Sequence, residues 1–306
     1  MRLKADLVLL LVAVLWGSAF AAQRAAGLLG SVYFFNAARF LVAGLILLPF
    51  AARSRIMRAQ VWWTCAAGVV LFIASALQQA GLQTTTAGNA GFLTSLYVVI
   101  VPFVMLVGWK ERPRAVSIVA VFLAAVGAYL LSTGGRFLVH AGDLLQLGGA
   151  VFWAVHVVLL GKFASRYSAM SFSAGQLLVG SALNWAASSV LEPTAFPLPP
   201  ILVTSILYTA LVSLGLGYTL QIWGQKHTPP THAAIILSLE SVFAALAGAL
   251  ILGEQLAPLQ IVGCVIIVLA VLLSQAKGWS RINAPKPPRR SSEADGEHRP
   301  SGPEVE

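Results

Sequence analysis

Polar residues are sparse along this chain, and the apolar residues between them come in blocks. Crossing about 30 Å of hydrocarbon takes about 20 mostly apolar residues, each rising 1.5 Å along a helix. By that measure the pattern predicts ten helices: Asp6–Ala26, Ser31–Phe50, Val61–Leu82, Ala87–Trp109, Arg114–Ser132, Asp143–Phe163, Ser171–Leu191, Pro200–Gln221, Thr231–Leu252 and Ala257–Gln275. From residue 279 to 306 the blocks stop, and the chain turns to Pro, Ser and charge in APKPPRRSSEADGEHRPSGPEVE. That stretch cannot bury enough apolar area to fold and is predicted to be a disordered cytoplasmic tail. The predicted fold class is an all-α membrane protein of ten transmembrane helices.

The blocks also repeat. Displaced by 137 places, Asp6-Leu7 falls on Asp143-Leu144, Ala13-Val14 on Ala150-Val151, Trp16 on Trp153 and Phe35 on Phe172. Displaced by 143, Leu77-Gln78, Gly81 and Thr85 fall on Leu220-Gln221, Gly224 and Thr228, and Glu111 falls on Glu254. Leu and Val match easily between apolar helices; the Asp, Trp, Gln, Thr and Glu coincidences carry the weight. Residues 1–136 and 137–278 are thus expected to be two copies of a five-helix unit. Five is odd, so the second copy enters the bilayer from the opposite side. Inverted repeats of this kind characterise secondary transporters, with the substrate site near mid-membrane between the copies.

Composition strengthens this picture and charge refines it. The chain is 58% apolar and 10% charged, against about 25% charged in soluble domains. Its net charge of +9 would suit nucleic acid, but its distribution points elsewhere. With a cytoplasmic N-terminus, alternate loops hold Arg2 and Lys4; Arg53, Arg55 and Arg58; Lys110, Arg112 and Arg114; Lys162 and Arg166; Lys226; then Lys277 and Arg281. The other side holds Arg24 and Arg136. This positive-inside bias places both termini in the cytoplasm of a cell with the chain in its plasma membrane, and it makes the basic balance a topology signal, with no nucleic-acid partner. Arg2, Lys4 and Ala19-Phe20-Ala21 imitate a cleavable secretory signal. The first block is nevertheless expected to stay, because its counterpart around Trp153 lies mid-chain. Cys65 and Cys264 fall within predicted spans, which suggests neither a disulfide framework nor a zinc cluster.

Leu15-Trp16-Gly17, the run GNAGFLTSLYVVIVP from Gly88 to Pro102, Leu239-Glu240 followed by Gly253-Glu254, and Gln260-x-x-Gly263 together resemble the EamA family of the drug/metabolite transporter superfamily. The likeness extends to about Gln275. It implies a ten-span 5+5 plan and the export or exchange of small metabolites, amino acids among them. One position departs: family members often carry proline after the ninth-span glutamate, where this chain has Ser241.

The candidate chemistry is intramembrane. Glu240 lies about ten residues into its span, where an ionised side chain costs roughly 2.5–3.5 kcal/mol. It would take up a proton or pair with a substrate cation, or alternatively tie helices together through hydrogen bonds. Glu254, about 21 Å further along the axis, follows Gly253 and precedes Pro258; it is expected to satisfy free N–H groups at the start of the next helix. Glu111, between Lys110 and Arg112, is expected to be its structural equivalent. Arg39 would bind a substrate carboxylate or form a permanent salt bridge with Glu240. Trp16 and Trp153 are expected either to wall a cavity between the copies or to serve as packing, their mid-span depth arguing against an interfacial belt. Gln78, Gln79 and Gln221 would bond a ligand or a neighbouring helix, and Asn89, Tyr97, His156, Gln176 and Asn184 are further polar points. Ala244-x-x-x-Gly248 reads as close helix packing.

No HExxH, phosphate-binding glycine loop or Cys/His cluster occurs, and the histidines at 140, 156, 227, 232 and 298 are scattered. The expectation is a secondary transporter in a lipid bilayer, with a small-molecule substrate, proton or counter-solute coupling, and neither cofactor nor metal. A membrane-embedded enzyme or a non-transporting scaffold is the alternative. Nothing in the sequence specifies an oligomeric state.

Overall fold

Apolar runs of this length in lipid must satisfy every backbone N–H within their own segment, and the helix does so. The computed structural model describes residues 1–51, 58–133, 141–193 and 198–282, and among these there is no strand. Arg53, Arg55, Arg136 and the predicted tail beyond Ile282 lie outside the described residues. The helices are α1 (Arg2–Gly27), α2 (Tyr33–Ala51), α3 (Arg58–Gly81), α4 (Ala87–Ser95), α5 (Tyr97–Trp109), α6 (Ala115–Thr133) and α7 (Ala141–Lys162), then α8 (Ala169–Leu191), α9 (Pro200–Tyr208), α10 (Gly217–Gln225), α11 (Pro230–Leu237), α12 (Glu240–Leu252) and α13 (Pro258–Ile282). A π-helical segment, Thr209–Leu216, joins α9 to α10.

Among the described residues, seven segments are long and apolar enough to cross a membrane: α1, α2, α3, α4 with α5, α7 with its following turn, α9 through α10, and α11 with α12. Two shorter apolar stretches, Ala115–Leu131 and Pro258–Leu273, accompany them. The 23-residue α8 is long enough but more polar. Most of its polar side chains face inward: Ser171, Ser173, Gln176, Ser181, Asn184 and Ser188 are buried. Polar groups between helices substitute for hydrophobic attraction, which lipid does not provide.

Two of the expected spans are interrupted. The helical pattern breaks at Leu96, between α4 and α5, and at Ser238-Leu239, between α11 and α12. At each break the backbone tightens to three-residue bonding, as in Val99 N–H to the Leu96 carbonyl at 3.0 Å and Val242 N–H to the Leu239 carbonyl at 3.0 Å. A serine hydroxyl before each break bonds back to a carbonyl, Ser95 to Phe92 at 2.8 Å and Ser238 to Ile235 at 2.8 Å. Ser241, at the position where proline is often found, donates its hydroxyl to the Ser238 carbonyl at 2.7 Å. The interruption is therefore present without a proline ring to impose it.

Helices pack in pairs: α2 on α8, α6 on α13, α3 on α7, and α1 on α12 and α10. Small residues set the closest approaches. A Cβ on Gly17 would stand 2.3 Å from the Phe243 Cβ and 2.7 Å from the Glu240 carbonyl oxygen, so α1 meets α12 backbone to backbone there. Gly263 does the same against α6, where its Cβ would lie 2.4 Å from the Gly127 carbonyl. Among the described residues two large apolar cores and two small ones result, and Trp16 and Trp153 pack against both large cores, at their seam.

Polar contacts fix the two ends of the bundle. Arg24, late in α1, donates to the Leu82 carbonyl beyond α3, and Gln146, early in α7, donates to the Gln78 carbonyl at 2.8 Å. At the other end, Asp6, early in α1, accepts from Thr228 Oγ1 at 2.9 Å. There too Lys226 donates to the Tyr167 carbonyl at 2.8 Å, and Lys162, late in α7, pairs with Glu111. Thus α1 and α7 run in opposite directions.

Candidate functional site

At the seam of the two large cores lies a cavity, about 530 Å³ of non-atom space when its open mouth is included. Its wall includes eight of the nine expected binding or coupling residues: Glu240, Arg39, Trp16, Trp153, Gln78, Tyr97, Gln221 and His156. Asn89 is not among them. Its amide donates to Asp143 Oδ1 at 2.7 Å and to Thr85 Oγ1 at 2.8 Å, tying α4 to α7 at the bundle end. Gln79 is spent on the Gln23 carbonyl at 3.0 Å, Gln176 on His156 at 3.0 Å, and Asn184 on the Gly180 carbonyl at 2.8 Å. Tyr218, Gln23, Ser75 and Thr94 line the cavity without having been expected there.

Arg39 is 3% exposed. Its Nε donates to Asn36 Oδ1 at 3.0 Å, and its guanidinium carbon sits 4.9 Å from the Phe35 ring centre and 5.3 Å from that of Phe40. Asn36 is in turn held by the Ser75 carbonyl at 3.1 Å. Among the described residues no carboxylate oxygen comes within 4.0 Å of the guanidinium, so Arg39 and Glu240 are not an ion pair. A buried cation held by an amide and two aromatic faces, open to a cavity, has donors with which it can meet an anion.

Glu240, also 3% exposed, is the first residue of α12, placed at the cavity by the break before it. Its Oε1 has no hydrogen-bond partner. Tyr97 is the first residue of α5, after the corresponding break, and its hydroxyl faces the Glu240 carboxylate. Gly17 lets α1 close on the backbone of Glu240, which accounts for the glycine of the Leu15-Trp16-Gly17 motif. Trp16 lies edge-tilted to Tyr218 at 5.3 Å and donates its Nε1 to the Ser213 carbonyl at 2.9 Å. That carbonyl belongs to the π-helical segment. The cavity thus offers a cation and an acid apart from each other, between aromatic walls. Such a set has the chemistry to complement a small charged or zwitterionic solute. Among the described residues no group of His, Cys, Asp and Glu is placed to hold a metal.

The two loop acids stand away from this cavity. Gly253 takes the left-handed conformation at φ +70° that ends α12, and the Glu254 N–H bonds the Gly248 carbonyl at 3.1 Å. Its carboxylate accepts from Ala87 N at 3.1 Å and Gly88 N at 3.4 Å, so the helix it caps is α4 rather than the following α13. The reason is local: Pro258 opens α13 without an N–H, and Gln260 Oε1 takes the Ala257 N–H at 2.8 Å. Glu111 shares the backbone turn, bonding the Met105 carbonyl at 3.3 Å behind Lys110 at φ 54°. It has a different partner, Lys162. Pro230, which opens α11, offers no N–H to cap. A third acid, Glu192, caps α2 by accepting from Val32, Tyr33 and Phe34 N–H groups at 2.7, 2.9 and 2.8 Å.

The chain matches the profile of the EamA-like transporter family twice, over residues 3–133 and 140–275. It is 36% identical over 276 residues to an uncharacterized transporter of Archaeoglobus fulgidus, covering 89% of this chain and 86% of that one. It is 25% identical to the uncharacterized transporter YvbV of Bacillus subtilis, over 90% of this chain and 93% of that one. The threonine/homoserine exporter RhtA of Escherichia coli is 26% identical over 160 residues, which cover 51% of this chain and 54% of the exporter. A crystal structure sharing 18% identity superimposes with a TM-score of 0.75 over 93% of this chain and all of its own, a likeness of fold. This multi-pass membrane protein belongs to the EamA-like transporter family, within the drug/metabolite transporter superfamily.

Proposed function

We propose that the protein is a ten-span secondary transporter that carries a small zwitterionic, amino-acid-like metabolite out of the cell, or exchanges it, by alternating access across the plasma membrane. The observation that carries the reading is the unpaired placement of Arg39 and Glu240 on one buried cavity. Arg39 takes the substrate carboxylate. Glu240 takes its ammonium group, or a proton when the site is empty, which is the basis of exchange with protons. The name of the threonine/homoserine exporter among the relatives supports this substrate class and the outward direction.

The 5+5 inverted plan has its own support. Five pairs of cavity residues stand 137 or 143 places apart: Trp16 and Trp153, Phe20 and Val157, Ser75 and Tyr218, Gln78 and Gln221, Tyr97 and Glu240. The two breaks, at Leu96 and Leu239, are also 143 apart. Repeat-related helices α1 and α7 run antiparallel, and the described basic contacts of Lys162 and Lys226 gather at the end where α1 starts. That end is the cytoplasmic one in this reading. Such a site, between two units of opposite sense, opens to either side by rocking one against the other.

In proteoliposomes, Glu240→Gln is expected to abolish the response of transport to an imposed pH gradient while counterflow of substrate persists. An unchanged pH response refutes the coupling role. In a cysteine-free background, cysteines at exposed Leu29 and Arg166 are expected to label from opposite sides of the membrane; labelling from one side removes the inverted plan.

A further inference from the structure

Gln221 is fully buried, lines the cavity, and has no hydrogen-bond partner on either Nε2 or Oε1. Its counterpart 143 places earlier, Gln78, is occupied: Nε2 donates to Thr94 Oγ1 at 3.1 Å. The tryptophans differ in the same way. Trp16 Nε1 is bonded to the Ser213 carbonyl, whereas Trp153 Nε1 has no partner. His156, one turn after Trp153 on α7, shares Nε2 with Gln176, and its Nδ1 is free. The His156 ring meets Trp153 edge-on at 5.9 Å and Tyr218 at 5.5 Å. Tyr218 lies one turn before Gln221 on α10, so α7 and α10 bring these unmet groups to one wall.

Each unmet buried donor or acceptor costs about 1–3 kcal/mol. A carboxamide with both a donor and an acceptor open complements a hydroxyl or another carboxamide, each of which also gives and accepts. We propose that Gln221, with Trp153 and His156, is the specificity-determining group for a hydroxyl or carboxamide on the substrate's side chain, apart from the charged ends held by Arg39 and Glu240. This rests on the amino-acid-like reading above.

Threonine and valine test it, since they differ by a hydroxyl for a methyl at nearly equal volume. In reconstituted protein, counterflow competition is expected to favour threonine by about 3- to 10-fold, the yield of one net hydrogen bond. Gln221→Leu and Gln221→Met are expected to bring that ratio to about one, with valine still competing as in the wild type. A ratio that persists in both variants, or a wild-type ratio of one, overturns the assignment while leaving the transporter reading intact. An equal loss for both amino acids overturns it too, as does a large fall in unfolding temperature in both variants, which would make Gln221 part of the scaffold. A wild type that counterflows neither amino acid overturns the amino-acid reading, and the assignment with it.

Discussion

Arg39 offers the sharpest separation between a ligand-binding charge and a structural one. A cation at mid-span costs about 2.5–3.5 kcal/mol. In the empty cavity it is offset by one charge-assisted bond to Asn36, worth about 1.5–3 kcal/mol, and by two ring contacts of about 0.5–1 kcal/mol each. These nearly cancel. Arg39→Met is therefore expected to leave the stability of the substrate-free protein within about 1 kcal/mol of wild type, whereas breaking a buried ion pair by removing one partner costs about 3–5 kcal/mol. Binding should respond quite differently. Loss of a charge-assisted contact to a substrate carboxylate, about 1.5–3 kcal/mol, lowers affinity about 10- to 150-fold. Unfolding of the purified protein in detergent, followed without ligand, reads the first quantity, and competition counterflow in proteoliposomes reads the second. A loss of more than 3 kcal/mol in the empty protein, or an unchanged affinity, refutes the placement of Arg39 as the anion receptor.

Further expectations follow from packing and caps. Gly17→Ala places a methyl 2.3 Å from the Phe243 Cβ and forces α1 from α12; a loss of about 1–3 kcal/mol with transport falling more steeply is expected, and unimpaired transport would show the contact to be slack. Lys110→Gly relieves a left-handed residue at φ 54° and is expected to raise stability by about 1 kcal/mol in thermal unfolding, at unchanged transport. Glu192→Ala leaves three N–H groups of α2 without their acceptor and is expected to cost about 1–3 kcal/mol; Glu192→Gln should recover part of it, and equal effects of the two would point away from capping.

Much of this was legible in the sequence because lipid leaves the chain few choices. Apolar length located the helical blocks, and eight of the residues singled out line one cavity, whereas Gln79, Gln176 and Asn184 meet partners of their own. Asn89 does so too: near the start of α4 it is at the bundle end, where Asp143 and Thr85 satisfy it. Tyr218 was hidden among other aromatics, although its offset from Ser75 equals that between Gln78 and Gln221. The offset likewise pairs Tyr97 with Glu240, a relation visible in the numbers alone. The π-helical stretch at Thr209–Leu216 has no proline to announce it. The partners of the loop acids could not be read, since Glu254 bonds a helix 166 or more places away, and local spacing points only to the nearest helix start.

That distance bears on how the protein is made. The start of α2 receives its acceptor from Glu192 and that of α4 from Glu254, both synthesised long after the helices they complete. Until those residues leave the ribosome, the early helices sit in the bilayer with open termini and with faces meant for α8 and α12 turned toward lipid or the insertion machinery. The nascent protein is therefore committed late, and damage near its C-terminal end would surface as misassembly of segments inserted first.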